Sequence, residues 1–425
     1  ILMPFAFLLI RGGIGKVPNS IATAFYSSNN LYNHAALNPV WNALATEFER
    51  GKNKPQSFFS SDQVAEYLLD ELGTNSNTPD SRSPDYSYLL KKDSNSHVVV
   101  IVLESFVAKL SGLLSGDKYA CTPNLDRVMR EGIYFTNAYA SNLRSDKGLL
   151  ALTTSFPSTA RQTLTNFPQQ LNEHPNLFRA FNKLGKTRFY HGGNLSFMNM
   201  GVLFKDANEL RTLNDFDSQY ENPWGIHDET VFSAFGNAVI ADKGPTLSML
   251  FSLSSHEPYD VPNYQKIENP YLNSVSYTDS CLGALMSQFK NSENWENTLV
   301  IITADHGNIR PDRPGINQAI NFKIPIVLSG GVVTESKAIE EIVSQNDIFP
   351  TIASFKGMNI DIPYHQSLLK PLNRAFYAYF DGICSVTPNC VQFYDLGMKK
   401  YLEQSCSKPY EKAYYHLKGN AFFKN

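Results

Sequence analysis

Four residues have the types that metal-assisted ester chemistry needs: Glu104, Ser145, Asp305 and His306. Two carboxylates and an imidazole form a mixed oxygen and nitrogen donor set that suits Mn²⁺, Zn²⁺ or Mg²⁺. With the Ser145 hydroxyl as a fourth ligand, such a cation would lower the pKa of the hydroxyl and neutralise an anionic group under attack. That chemistry fits a phosphate or sulfate ester. Ser145 lies in SNLRSDKGLL (141–150), just ahead of the apolar Leu149, Leu150 and Leu152. A helix starting there would bring the positive end of its dipole to the hydroxyl, and Arg144 and Lys147 add charge of the same sign. A serine in this place also suits plain helix capping, and Asp305-His306-Gly307 also suits a strand-end turn. Their joint placement, more than any one of them, points to a site.

The elements that must position them are legible as apolar runs. HVVVIVL (97–103) is a continuous β-branched run of the kind buried on both faces of a parallel sheet, and it ends in Glu104. Similar runs at 187–190, 247–253 and 298–303 lead into His191-Gly192-Gly193, His256 and Asp305-His306-Gly307, and 324–328 is a fifth. Helical patterns at 124–131, 177–184 and 274–289 lie between them, which predicts a parallel sheet covered by helices. Ligands of such sheets bind beyond the carboxyl ends of the strands. Glu104, His256, Asp305 and His306 all fall at those ends, and Ser145 opens a helix, so one site is expected. The pattern continues through 339–355. Within 374–401 the stretches FYAYF (376–380) and VQFYDL (391–396) read as antiparallel strands of a small terminal subdomain.

A chain of 425 residues, 42% of them hydrophobic, buries a large core and excludes disorder as its general state. Its net charge of −3 argues against a nucleic-acid binder that works through bulk charge. Among the five cysteines there is no zinc-finger or Cys-x-x-Cys spacing. Cys384 and Cys390 flank the turn-like Thr387-Pro388-Asn389; they would close a small disulfide loop in an oxidising compartment or stay as two buried thiols. The stretch ILMPFAFLLI (1–10) is too short to span a bilayer, which takes about 20 residues. It reads as the stump of a longer transmembrane helix, with a buried core segment as the plain alternative. Short helical patterns at 39–50 and 61–72 and a loop at 75–87 suggest a linker wrapping a domain, and no internal repeat is found.

The segments TPNLDRVMREGIYFTNAYA (122–140) and ITADHG (302–307), with Glu104 after the first strand, resemble the alkaline phosphatase and sulfatase superfamily. VLES (102–105), RSDKGLLAL (144–152), WGIHDE (224–229), SSHEPY (254–259) and SQNDIFPTI (344–352) are similar in content and order to its lipoteichoic acid synthase-like branch, the membrane-anchored phosphoglycerol transferases. The resemblance implies an α/β sandwich with a mostly parallel central sheet. It divides the chain into a membrane-proximal linker at 1–95, a catalytic domain at 96–365 and a small β-rich subdomain at 366–425.

It also implies that Glu104, Ser145, Asp305 and His306 bind one catalytic metal, Mn²⁺ ahead of Zn²⁺ or Mg²⁺. Ser145 takes the place of the family's usual threonine nucleophile, and His256 contacts the substrate phosphate. In NLSFMNM (194–200), Met198 and Met200 stand where the glycerol-phosphate polymerases carry a Trp and an Arg. Head-group recognition then falls to His256, with Arg144 and Lys147 beside Ser145 and with His191, Asn194 and Asn199 around the same strand end, while the two methionines either shape the pocket or pack in the core. A formylglycine sulfatase is disfavoured, because SFPST (155–159) has Thr159 where the C/S-x-P-x-R motif needs Arg. The expected activity is transfer of a phospho-alcohol head group from a membrane phospholipid to an envelope glycan or lipid, on the extracytoplasmic face of the cell membrane. The alternatives are a metal-dependent phosphodiesterase or sulfuric ester hydrolase and a metal-binding protein without catalysis. The last would need an absent ligand, and none is absent.

Overall fold

The computed structural model describes residues 24 and 27 and residues 30–39, 84–160, 162–316, 318–362 and 365–405. The expected membrane stump at 1–10, the helical patterns at 39–50 (beyond its first residue) and 61–72, most of the loop at 75–87 and the basic end at 410–425 lie outside the described residues. Among the described residues no helix is long and apolar enough to cross a membrane.

Fourteen strands are described: β1 (His97–Leu103), β2 (Ile133–Tyr139), β3 (Lys186–His191), β4 (Glu209–Arg211), β5 (Glu221–Asn222), β6 (Gly225–Ile226), β7 (Thr246–Phe251), β8 (Thr298–Ala304), β9 (Ile326–Ser329), β10 (Lys337–Ser344), β11 (Ala375–Tyr379), β12 (Gly382–Thr387), β13 (Cys390–Asp395) and β14 (Lys400–Gln404). Eight of them make the central sheet in the order β10-β2-β9-β8-β1-β7-β3-β4. Its middle strands carry the apolar runs because both faces are covered. Val98 to Leu103 in β1 are fully buried, which at about 2 kcal/mol per large side chain makes this strand a main anchor of the core. Helix Pro270–Lys290 packs with Pro123–Glu131 and Asp228–Ile240, and helix Ser145–Thr154 packs with Leu177–Phe181 and Ile348–Lys356.

The sheet is parallel except for β9, which runs antiparallel to both β8 and β2. The fifth apolar run therefore differs from the parallel strand that the sequence pattern suggests. The chain returns from β8 through the loop 305–325 and comes back alongside, with no crossover helix to reverse it. Strand β2 is less continuously apolar and is not legible as a run, whereas β10 falls at the start of the pattern at 339–355; the two pair in parallel at one edge.

Strands β11 to β14 form an antiparallel sheet that packs on the first through Tyr377, Tyr379 and Phe393 against Tyr139, Phe322 and Ile342. Phe322 stacks on Tyr377 at 4.0 Å between ring centroids. The small disulfide loop does not form, and the two cysteines are not a pair of thiols either: Cys384 is a buried thiol outside any disulfide, whereas Cys390 is disulfide-bonded elsewhere. Register explains this, because Cys384 pairs with Phe393 and Cys390 with Thr387. The two cysteines are thus about 10 Å apart along the hairpin, beyond the roughly 7 Å that a disulfide spans between Cα atoms.

Candidate active site

Strand register builds the first half of the site. In the parallel pair β1–β8, Leu103 lies opposite Ala304, so the next residues, Glu104 and Asp305, leave the sheet side by side. Backbone bonds lock them there. The Ser105 N–H donates to Asp305 Oδ1 at 2.9 Å, and the Glu104 N–H donates to Ser252 Oγ just after β7 at 2.8 Å. Ser105 is held at φ 59° between these bonds, a backbone region a serine seldom adopts, and its hydroxyl donates to Glu104 Oε1 at 2.8 Å.

The second half arrives on a helix. Ser145 is the first residue of Ser145–Thr154, and Arg144, not Ser145, holds the capping position without a capping bond. The hydroxyl of Ser145 is thereby released from capping and donates to Glu104 Oε2 at 3.4 Å. Gly148, one turn on, makes this approach possible, since a Cβ there would lie 1.6 Å from the Asp305 carbonyl oxygen. Gln345 completes the closure. Its Nε2 donates to the carbonyls of Ala304 and Asp305 at 2.8 and 2.7 Å, and its Oε1 accepts from the Ser141 N–H at 3.1 Å.

One ligand atom each from Glu104, Asp305 and His306 lies within 4.8 Å of the other two, and all three residues are buried. His306 Nδ1 donates to the Gly307 carbonyl at 2.6 Å, which fixes the orientation of the ring and leaves Nε2 3.5 Å from Glu104 Oε1 and 3.3 Å from Asp305 Oδ2. Asp305 Oδ1 is occupied by the N–H groups of Ser105 and His306, while its buried Oδ2 accepts no hydrogen bond among the described residues. Burial alone would raise the Glu104 carboxyl, yet its contacts with His306 hold it below the usual range. Asp305 is pushed well up by burial and by the neighbouring Glu104 charge. For His306, burial is outweighed by Asp305 and Glu104, which raise it to about 10. Two carboxylates competing for one proton, an unpartnered buried oxygen and an oriented imidazole fit a divalent cation.

The histidines around this centre share one orientation. His191, at the end of β3, points Nδ1 at the Phe251 carbonyl at 3.1 Å and stacks on that ring. Burial lowers its pKa to about 4, so it stays neutral. Half-buried His256 points Nδ1 at the Glu257 carbonyl at 2.8 Å. Its loop hangs from buried Asp228, whose carboxylate accepts from the N–H groups of Leu253 and Ser254 and the hydroxyl of Thr278. The Ser255 hydroxyl ties the same loop to the Glu104 carbonyl at 2.6 Å.

Other residues singled out from the sequence are engaged locally. Lys147 is buried, and its amine donates to the carbonyl of Ala160 at 3.1 Å and to that of Thr159; burial lowers its pKa to about 8. Asn194 Oδ1 accepts from the Ser196 N–H, and Asn199 Nδ2 donates to Asn166 Oδ1. Arg144 reaches across with Nη2 3.3 Å from Met198 Sδ while Nε holds Asp146 Oδ1 at 3.0 Å. Met200 packs in the core, whereas Met198 is only partly buried. Ser155, in the stretch nearest to the sulfatase motif, stands at the far end of the active-site helix, about 15 Å along its axis from Ser145. Ser105, Gly148, Asp228 and Gln345 are the positioning residues that sequence reasoning passed over; all four sit inside quoted motifs, where they were given no role of their own.

The fold is that of the alkaline phosphatase superfamily. A superfamily protein from Vibrio parahaemolyticus superposes with a TM-score of 0.74 at 22% identity, over 86% of this chain and 96% of that one. The lipoteichoic acid synthase LtaP from Listeria monocytogenes gives 0.67 at 19% identity, over 84% and 96%. The chain belongs to the Sulfatase family, whose model matches residues 96–358. It is also similar to the lipoteichoic acid synthase-like protein YvgJ of Bacillus subtilis (strain 168), 21% identical over 253 residues, 54% of this chain and 40% of YvgJ. Matches to curated relatives span 20% to 40% of those proteins.

Proposed function

We propose that this protein is a metal-dependent transferase that moves a phospho-alcohol head group, phosphoglycerol-like, from a membrane lipid to an acceptor through a covalent bond to Ser145. The observation that carries this reading is the Ser145 hydroxyl at a helix start, 3.4 Å from Glu104 Oε2, which itself lies in one buried cluster with Asp305 and His306. Similarity to YvgJ supports the branch. Glu104, Asp305, His306 and Ser145 Oγ would hold a divalent ion, Mn²⁺ ahead of Zn²⁺ or Mg²⁺, which would supply Lewis acidity toward the hydroxyl and the ester.

The chain's own residues do the rest. Glu104 orients the Ser145 hydroxyl, and the helix start places positive potential where the phosphate oxygens sit. Ser145 Oγ bonds to phosphorus as the bond to the lipid alcohol breaks. An acceptor alcohol then displaces Ser145 and restores the hydroxyl. His256 offers Nε2 to the transferred group, because its Nδ1–H is committed to Glu257. On this reading the donor is a phospholipid, the acceptor an envelope glycan or lipid, and the site faces the extracytoplasmic side of a cell membrane.

Membership of the Sulfatase family keeps a second reading, a phosphodiesterase or sulfuric ester hydrolase in which water replaces the acceptor. The test incubates the protein in its native membranes with phosphatidylglycerol and phosphatidylethanolamine labelled in the head group. Label on Ser145 that is chased onto an acceptor supports transfer; label chased only into free head-group phosphate supports the hydrolase; no label on Ser145 overturns both.

A further inference from the structure

Between β5 and β6 the two-residue turn Pro223-Trp224 is drawn tight by Asn222, whose Oδ1 accepts from the N–H groups of Trp224 and Gly225 at 2.8 and 3.1 Å. This hairpin is clamped onto the loop after β3. Gly225 bridges to Gly193, and a Cβ on Gly225 would lie 2.1 Å from the Gly192 carbonyl oxygen, so the two backbones touch. The clamp fixes where Trp224 stands. Its ring lies 4.5 Å from the His256 ring and 5.3 Å, edge to face, from Phe197. Its Nε1–H donates to the Glu257 carbonyl at 2.7 Å, the same oxygen that accepts the His256 Nδ1–H at 2.8 Å.

One carbonyl thus receives two donors, and both lone pairs are used. A carbonyl oxygen cannot donate, so His256 must carry a proton on Nδ1, which leaves Nε2 as the ring atom that faces the transferred group. We infer that Trp224 is the positioning residue for His256: it fixes the carbonyl that sets the imidazole tautomer, and its ring sets the angle of the imidazole plane. With Phe197 behind it, the stack forms an aromatic wall against the His256 ring. This rests on the reading that His256 contacts the transferred phosphate, and it extends that reading to a residue on a separate hairpin.

The test compares wild type with Trp224→Leu and Trp224→Phe in protein loaded with Zn²⁺, a diamagnetic ion that leaves the imidazole resonances observable. Its first readout is the ¹⁵N spectrum of the His256 ring, which reports the tautomer without any turnover. Its second is affinity for inorganic phosphate by calorimetry, with metal content measured alongside. The expected result is a single Nδ1–H form in wild type, mixed tautomers in Trp224→Leu, and phosphate affinity at least tenfold weaker with metal content unchanged. Trp224→Phe, which keeps a ring but no N–H, shifts both readouts in the same direction by less. A His256 spectrum and phosphate affinity unaltered in both variants would overturn the inference. Failure of lipid transfer in wild type would overturn the proposed function instead and leave the tautomer result standing.

Discussion

Gly148 lies so close to the Asp305 carbonyl oxygen that a Cβ would stand 1.6 Å from it. The contact is backbone against backbone, so no side-chain rotation relieves it. Gly148→Ala is expected to push the helix away from β8 and separate the Ser145 hydroxyl from Glu104, at about 3 kcal/mol of stability and roughly a 100-fold loss of turnover. Denaturant unfolding with initial rates checks this; wild-type turnover in Gly148→Ala would show that the close approach does not set the nucleophile.

Metal removal provides a second prediction. Without a cation, Glu104 and Asp305 share one buried space, and Asp305 Oδ2 lacks a hydrogen-bond donor among the described residues. Chelation is expected to lower the melting temperature of wild type and Mn²⁺ to restore it, while Asp305→Asn binds less than a tenth as much metal and melts indifferently to chelator. Elemental analysis and thermal melts decide the matter.

The third prediction concerns acid. His191 has its pKa lowered from 6.5 to about 4 by burial. Between those values the unfolded chain takes up a proton that the folded one refuses, so this contribution is intact above about pH 6.5 and is lost as pH falls toward 4. The full loss is roughly 3 kcal/mol. His191→Gln should lose correspondingly less stability between pH 7 and 4, and equal losses in the two proteins would refute the assignment.

Asp228 is the hidden support of the His256 loop. Removing its carboxylate in Asp228→Ala strands the N–H groups of Leu253 and Ser254 and the Thr278 hydroxyl in a buried setting. The expected cost is about 3 kcal/mol, with faster amide exchange concentrated at 252–256. A uniform rise in exchange along the chain would instead mean that Asp228 stabilises the whole fold and not that loop.

The legible part of this molecule was the part encoded locally. HVVVIVL announces a buried strand because every residue meets apolar neighbours, and Glu104, Asp305 and His306 follow strands whose ends the run lengths mark. The orientation of β9 was illegible because parallel and antiparallel strands bury the same side chains. Lys147 looked like a substrate contact beside Ser145, yet helix geometry turns its amine to the Thr159 and Ala160 carbonyls. Gln345 and Gly148 gave no local signal, since Gln345 bonds Ser141 across 204 positions and Gly148 is required only once the helix meets β8.

The small antiparallel sheet also ties the loop ahead of Ser145, through the bond from the Ala378 N–H to the Ser141 carbonyl at 3.0 Å and from Asn142 to the Ala378 carbonyl. Asn142 and Ala378 are 236 positions apart. A ribosome adding 5 to 20 residues per second therefore leaves the loop ahead of Ser145 without its final brace for about 10 to 50 seconds after that serine has been made. Until β11 emerges, the growing chain holds Ser145 in an unbraced loop, and the setting around that hydroxyl is finished only when the domain is nearly complete.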